Sequence, residues 1–191
     1  MQTKIDYDIA ILCGGLSSRF KKDKTLAQVN EKSMIQCTID SVQPLQKRIF
    51  LVCKETHHDK YKDLNLDFSF DTERDFASIY GLKAALEGST KQHVLVLAAD
   101  LPLFELEVVL HLLKNHTGKS TIAYYDGLQP LSSIYDIDIL EQLNEYISHG
   151  TLAIQKFVKS IDHSLVHFDH LKNNPFQNIN TQQDLSNLIP K

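Results

Sequence analysis

Near the start of the chain a glycine pair, two hydroxyls and two cations stand close together, in Leu12-Cys13-Gly14-Gly15-Leu16-Ser17-Ser18-Arg19-Phe20-Lys21-Lys22-Asp23-Lys24. Consecutive glycines let the main chain approach an anion and turn its N–H groups inward, and Ser17 and Ser18 can donate further hydrogen bonds. Arg19 and Lys24 bring positive charge to the same loop. Phosphate is the anion such a loop suits. It is not a P-loop, because Arg19 stands where Gly14 would need to be followed by Gly-Lys-Ser/Thr, and the dinucleotide pattern G-x-G-x-x-G is absent. A tight turn followed by a solvated charge run would read the same way.

Two aspartates could complete the site. Asp100 follows the most apolar stretch of the chain, Val94–Ala99, and precedes Leu101-Pro102. Asp71 follows the alternation Leu66, Phe68, Phe70. Mg²⁺ takes one or two carboxylates and completes its octahedron with water and phosphate oxygens, which makes Asp100 a candidate metal ligand. Its alternative role is an N-cap of the next helix, and Asp71 could equally be a turn carboxylate. Asn178 and Asn180 flank Ile179 and offer neutral amides to polar groups. The histidines have no zinc spacing. Cys13 has no identifiable partner base and reads as a small buried residue ending a strand.

These residues belong to one site only if the elements before them end on one rim. Ile5–Leu12, Ile49–Cys53, Leu66–Phe70 and Val94–Ala99 read as strands. Helices are predicted around Met34–Val42 before Pro44, Ile79–Leu86 before Gly88, and Leu106–Leu113. Alternating strands and helices predict a parallel sheet with helices on both faces. In such sheets ligands bind outside the carboxyl ends of the strands. Further on, Thr121–Tyr125 and Leu131–Tyr135 flank the turn Asp126-Gly127, and Leu140–Ile147 forms a helix that Gly150 can close. Leu165–Phe168 and Phe176–Ile179 are expected to finish the sheet, with Asn178 and Asn180 on one side and Ile179 on the other. Thr181 and Asp184 resemble a cap for a last helix over 182–188.

The whole chain sets the limits. It has 191 residues, 42% hydrophobic and 23% charged, with seven glycines, five prolines and no tryptophan, which fits a single folded domain and excludes disorder. A formal charge of −4 gives no overall attraction for nucleic acid. The scattered Cys13, Cys37 and Cys53 form no secreted disulfide framework, and no apolar run reaches the roughly 20 residues of a membrane span, so a cytoplasmic protein without a membrane anchor is expected.

Leu12-Cys13-Gly14-Gly15, Ser18-Arg19 and Asp23-Lys24 together resemble the Leu-Ala-Gly-Gly, Ser-x-Arg, Asp-Lys signature of the molybdenum cofactor guanylyltransferases, the MobA family. The likeness continues through Asp71, Asp75 and Gly81, through Asp100-Leu101-Pro102 for that family's Asp-x-Pro, and through Asn178-Ile179-Asn180-Thr181 for its Asn-x-Asn-Thr. It implies a single-domain, three-layer α/β/α Rossmann-like nucleotidyltransferase fold with a mostly parallel central sheet. The half up to about residue 115 would bind nucleotide and the rest the acceptor. The implied activity is transfer of GMP from GTP to molybdopterin or Mo-molybdopterin, with Mg²⁺ and release of pyrophosphate. By the resemblance, Leu12, Cys13, Gly14 and Gly15 contact the nucleotide, Lys24 binds phosphate beside Arg19, Asp71 contacts the guanine nucleotide, Asp100 holds the metal, and Asn178 and Asn180 serve the pterin. Transient contact with cofactor-synthesis proteins and molybdoenzymes is expected on the same ground.

The chain departs from the family pattern at three places. Cys13 replaces alanine, the segment Ala77-Ser78-Ile79-Tyr80-Gly81 is one residue short, and Thr151-Leu152-Ala153 stands where arginines often serve the pterin. Two alternatives stay open: a nucleotidyltransferase using another base or acceptor, such as CTP with molybdopterin, a sugar phosphate or methylerythritol phosphate, and a non-catalytic nucleotide-sensing domain.

Overall fold

The computed structural model describes residues 5–14, 24–29, 31–179, 181 and 183–184. Strand β1 (Tyr7–Leu12) is buried along its whole length, which is why its sequence turns from alternation into a continuous apolar run. Asp8 is tolerated inside it because Arg48 and Thr90 satisfy its carboxylate. A short hairpin follows, β2 (Gln28–Val29) and β3 (Lys32–Ser33), which its four paired residues were too few to announce. Helix α1 (Met34–Val42) is capped by Ser33, whose hydroxyl accepts the Gln36 N–H, and it ends in a 3₁₀ turn containing Pro44.

The remaining elements are β4 (Ile49–Cys53), α2 (His58–Tyr61), β5 (Asp67–Phe70), α3 (Ser78–Gly88), β6 (His93–Ala98), α4 (Leu106–Asn115), β7 (Ser120–Tyr124), β8 (Leu128–Asp136), α5 (Leu140–Ser148), α6 (Ile154–Ser160) and β9 (His163–His167). The seven-stranded sheet runs β5-β4-β1-β6-β8-β7-β9. It is parallel except for β8, which runs antiparallel to both β6 and β7. Asp126 and Gly127 both have positive φ and turn β7 into β8, as their residue types require. Buried residues of α1, α2 and α4 join one core on one face of the sheet, and those of α3, α5 and α6 join another on the opposite face. This is the three-layer α/β/α arrangement. Among the described residues no helix is long and apolar enough to cross a membrane.

Two expectations need correction. Helix α6 was not anticipated, because only Phe157 and Val158 of its residues are buried and so short a stripe carries little periodicity. Phe176–Ile179 is not a strand. Asn174 accepts the Phe176 N–H and bends the chain there, and the Phe176 ring packs against Phe104, Tyr125 and Phe168. Phe176 closes the end of one core and Ile179 packs in a separate cluster with Val29 and Met34, so neither is apolar through a strand's alternation; Asn178 is not placed by that alternation, and Asn180 lies outside the described residues. Thr181 and Asp184 do exchange main-chain to side-chain hydrogen bonds, while most of the helix expected over 182–188 lies outside the described residues.

Candidate active site

In the sheet order, β4 and β5 lie to one side of β1 and β6 to the other, so the connections diverge between β1 and β6. A crevice must open at that switch point, outside the carboxyl ends of the strands. Main-chain hydrogen bonds continue past the strands and fix the rim. Ala99 donates to Leu12, Cys13 to Val52, Asp71 to Cys53, and Ile179 to Asp100. The antiparallel β8 brings Leu131 to the same edge, because Leu97 pairs with Ser132.

A cavity of about 360 Å³ lies on this rim, and its lining includes Leu12, Cys13, Gly14, Lys24, Asp71, Asp100 and Asn178. The structure therefore brings together seven of the residues singled out by spacing and resemblance. Gly15, Ser17, Ser18, Arg19 and Asn180 lie outside the described residues.

Lys24 returns to the rim from the far end of the loop. Its ammonium meets Asp100 Oδ2 at 2.5 Å, with both side chains mostly buried. Asp100 is not a helix N-cap, since Glu105 occupies that position for α4. Its Oδ1 is buried and has no hydrogen-bond partner among the described residues. Leaving a carboxylate oxygen unmatched in a buried place costs about 1–3 kcal/mol or more, so this oxygen is open to a further donor or cation. Tyr61 supports the loop from below. Its hydroxyl donates to the Cys13 carbonyl at 3.1 Å and lies 2.8 Å from Thr25 Oγ1, tying both ends of the loop to α2.

Asp71 is held differently. Its Oδ2 pairs with Lys54 at 2.9 Å and its Oδ1 accepts the Glu73 N–H at 3.1 Å. Lys54 also donates to the carbonyls of Glu73 and Asp75, and its ammonium lies 5.1 Å from the centre of the Phe76 ring. One buried cation thus organises the whole segment from Asp71 to Phe76, which forms a wall of the cavity. Burial, together with the charges of Glu73, Asp75 and Asp71, holds the Tyr80 hydroxyl above its ordinary pKa. At Gly81, where α3 crosses β1, a Cβ would sit 2.8 Å from Leu12 Cδ2, and the Leu12 side chain would have to give way.

Lys54 was missed in the sequence, although it is the residue leaving β4 and the rule that found Asp71 and Asp100 would have found it. Its replacement by methionine strands the Asp71 carboxylate in a buried place. The expected loss is about 3 kcal/mol of stability, read as a lower denaturant midpoint, with weakened nucleotide binding. An unchanged midpoint would show that Lys54 does not organise this wall.

A second depression of about 200 Å³ adjoins the first, sharing Ser78, Ala98, Leu131 and Asn178 with it. It extends along Leu128–Ser132 to Ile154 and Gln155 at the start of α6, and no charged side chain lines it among the described residues.

The model of the MobA-like NTP transferase domain matches residues 9–165. The chain belongs to the MobA-like NTP transferase family. It is accordingly a nucleotidyltransferase. A relative from Aquifex aeolicus with the name "Probable molybdenum cofactor guanylyltransferase" is 30% identical over 179 residues, covering 94% of this chain and 88% of the relative. The "Molybdenum cofactor guanylyltransferase" of Vibrio parahaemolyticus is 29% identical over 181 residues, covering 92% and 91%. Among solved structures, a protein from Aquifex aeolicus superposes with a TM-score of 0.81 at 30% identity, covering 93% of this chain and 95% of that one. The molybdopterin-guanine dinucleotide biosynthesis protein A of Archaeoglobus fulgidus shares the fold at a TM-score of 0.78 and 24% identity, covering 95% and 96%. The fold is the expected one, with β8 as the antiparallel exception in a mostly parallel sheet.

Proposed function

We propose that this chain transfers GMP from GTP to molybdopterin, with or without bound molybdenum, and releases pyrophosphate in a Mg²⁺-dependent reaction. The observation that carries the reading is the open Oδ1 of Asp100, paired through its other oxygen with Lys24 and sharing one cavity with Gly14. The names of the relatives in Aquifex and Vibrio support the acceptor and the base.

Asp100 fits a magnesium site. Both oxygens of Asp71 are engaged, so Asp100 offers the open carboxylate oxygen of the pair. Among the described residues no group of three or more His, Cys, Asp or Glu side chains could cage an ion, and Mg²⁺ with one carboxylate, water and phosphate oxygens needs no such cage. Bound there, Mg²⁺ would neutralise charge on the phosphate oxygens.

The acceptor ends in a phosphate that is anionic at neutral pH, so attack on the α-phosphorus needs no strong base. The protein must supply alignment and positive potential. The Gly14 amide and Lys24 hold the triphosphate over the β1 and β6 tips. As nucleotide enters, the Lys24 ammonium turns from Asp100 toward the departing pyrophosphate. The wall that Lys54 organises takes the base. The uncharged second depression takes the acceptor's pterin, with Asn178 at the boundary, so the nucleotide-binding and acceptor-binding halves meet at Ala98 and Leu131.

Cys-Gly-Gly at 13–15 and Asp-Leu-Pro at 100–102 favour guanine over cytosine, because the cytidylyl relatives tend to read Ala-Ala-Gly and Asp-Gln-Pro there. Thermal shift with GTP, CTP or ATP plus Mg²⁺ tests the base. Nucleotide at about 100 times its Kd contributes about 2.7 kcal/mol, a Tm rise of several degrees for a chain this size. GTP is expected to give the largest rise, and a rise with CTP alone would overturn the choice. Pyrophosphate release on adding molybdopterin tests transfer, and well-folded protein that releases none would favour a sensor.

A further inference from the structure

The floor of the nucleotide cavity carries two thiols on neighbouring strands. Strands β1 and β4 pair in parallel from Ile9↔Ile49 to Leu12↔Val52. At the start of this ladder the Ile9 N–H donates to Arg48, the residue before its partner, and one step past the end the Cys13 N–H donates to Val52 at 2.9 Å. By the same pattern the partner of Cys13 is Cys53. Side chains alternate along a strand, and Ile9, Ile11, Cys13, Leu51 and Cys53 all enter the same core cluster. The two cysteines therefore project side by side from strands about 4.8 Å apart, within the Cα separations that a disulfide spans. Their exposures are only 4% and 1%, yet both line the cavity. Both are thiols here, and the third, Cys37, packs beside a different cluster.

We propose that Cys13 and Cys53 form a modification site, a thiol pair that a hydroperoxide closes to a disulfide, and that this closure weakens nucleotide binding. In the first step the Cys13 sulfur gives two electrons to the O–O bond of the hydroperoxide, yielding a sulfenic acid and an alcohol, or water from hydrogen peroxide. In the second the Cys53 sulfur attacks the Cys13 sulfur. The S–S bond forms, the S–O bond breaks, and the hydroxide leaves as water with the Cys53 proton. Two thiols and one hydroperoxide thus become one disulfide, one alcohol and one water.

Burial pushes the Cys53 thiol up to about 11 and keeps its thiolate scarce, and Cys13 is the more accessible of the two at 4% exposure against 1%, so the first oxidation falls on Cys13. Adjacency makes the second step intramolecular. A disulfide fixes its Cβ atoms about 3.8 Å apart, so closure ties the two strand tips rigidly together and re-aims the residues that follow them. Gly14 follows Cys13 directly and faces Cys53, since a Cβ on it would lie 3.7 Å from Cys53 Cα. The amide that receives phosphate, on the reading proposed above, moves with the bridge.

The full-length protein is treated with hydrogen peroxide, its remaining thiols are alkylated after unfolding, and its peptides are mapped by mass. The expected result is a loss of roughly 2 Da, a linked Cys13–Cys53 peptide and an alkylated Cys37. Affinity for the nucleotide that the reduced protein binds should fall tenfold or more and return with dithiothreitol. In Cys53→Ser the reaction should stop at a Cys13 sulfenic acid that dimedone traps, with affinity compared against the same variant reduced. A bridge through Cys37, alkylation at both 13 and 53, or a Cys13–Cys53 bridge without change in affinity would overturn the proposal. If the reduced protein prefers CTP, the guanine reading falls, while the mapped bridge and its effect on CTP binding still decide this one.

Discussion

Asp100→Asn is expected to lower kcat/KM for pyrophosphate release by about 10³-fold or more, equivalent to about 4 kcal/mol of transition-state stabilisation. The substitution keeps the volume of the side chain and an oxygen that Lys24 can still reach, so the tip of β6 should hold its shape. What is lost is the anionic pair of oxygens, one on Lys24 and one open to the cavity. The amide group would leave an N–H₂ where Oδ1 now stands, at a cost of about 1 kcal/mol that does not unfold a domain of this size. Steady-state turnover across a Mg²⁺ titration, beside a denaturation curve, checks both halves. Turnover within tenfold of the parent would remove Asp100 from the reaction.

Lys24→Met should come second, with a loss of about 10²-fold to 10³-fold in kcat/KM. It removes the ammonium assigned to the pyrophosphate and leaves the Asp100 carboxylate without its cation, so nucleotide affinity without metal should fall as well. Lys24 and Asp100 are in contact and act on one triphosphate, which makes their effects non-additive. The double variant Lys24→Met/Asp100→Asn is expected to turn over no more than about tenfold slower than Asp100→Asn alone. Fully multiplicative losses, measured as kcat/KM for all four proteins, would mean that the two side chains serve separate steps.

The strands were legible where both faces are covered. β1, β4 and β6 are buried runs in which nearly every residue is apolar, and their order with the intervening helices dictates the crevice at Gly14 and Asp100. The turn Asp126-Gly127 was legible because positive φ selects those residue types. Phe176–Ile179 misled because two apolar residues that pack into separate clusters carry the same letters as a strand. Lys54, also at a strand end, was passed over for another reason. Lysine is so seldom buried that a lone one after a strand reads as solvated, and only the fold shows three acceptors converging on it. The Lys24–Asp100 pair spans 76 positions, and spacing supplied its members without supplying the contact.

Crystals grown with Mn²⁺ and an α,β-methylene analogue of GTP test the central claim most directly, because anomalous scattering locates the ion independently of the protein atoms. The account predicts an ion about 2 Å from an oxygen of Asp100, shared with phosphate oxygens of a nucleotide seated over Gly14, with the Lys24 ammonium turned to the phosphates. An ion bound away from Asp100, or a triphosphate lying outside the crevice between the tips of β1 and β6, would contradict it.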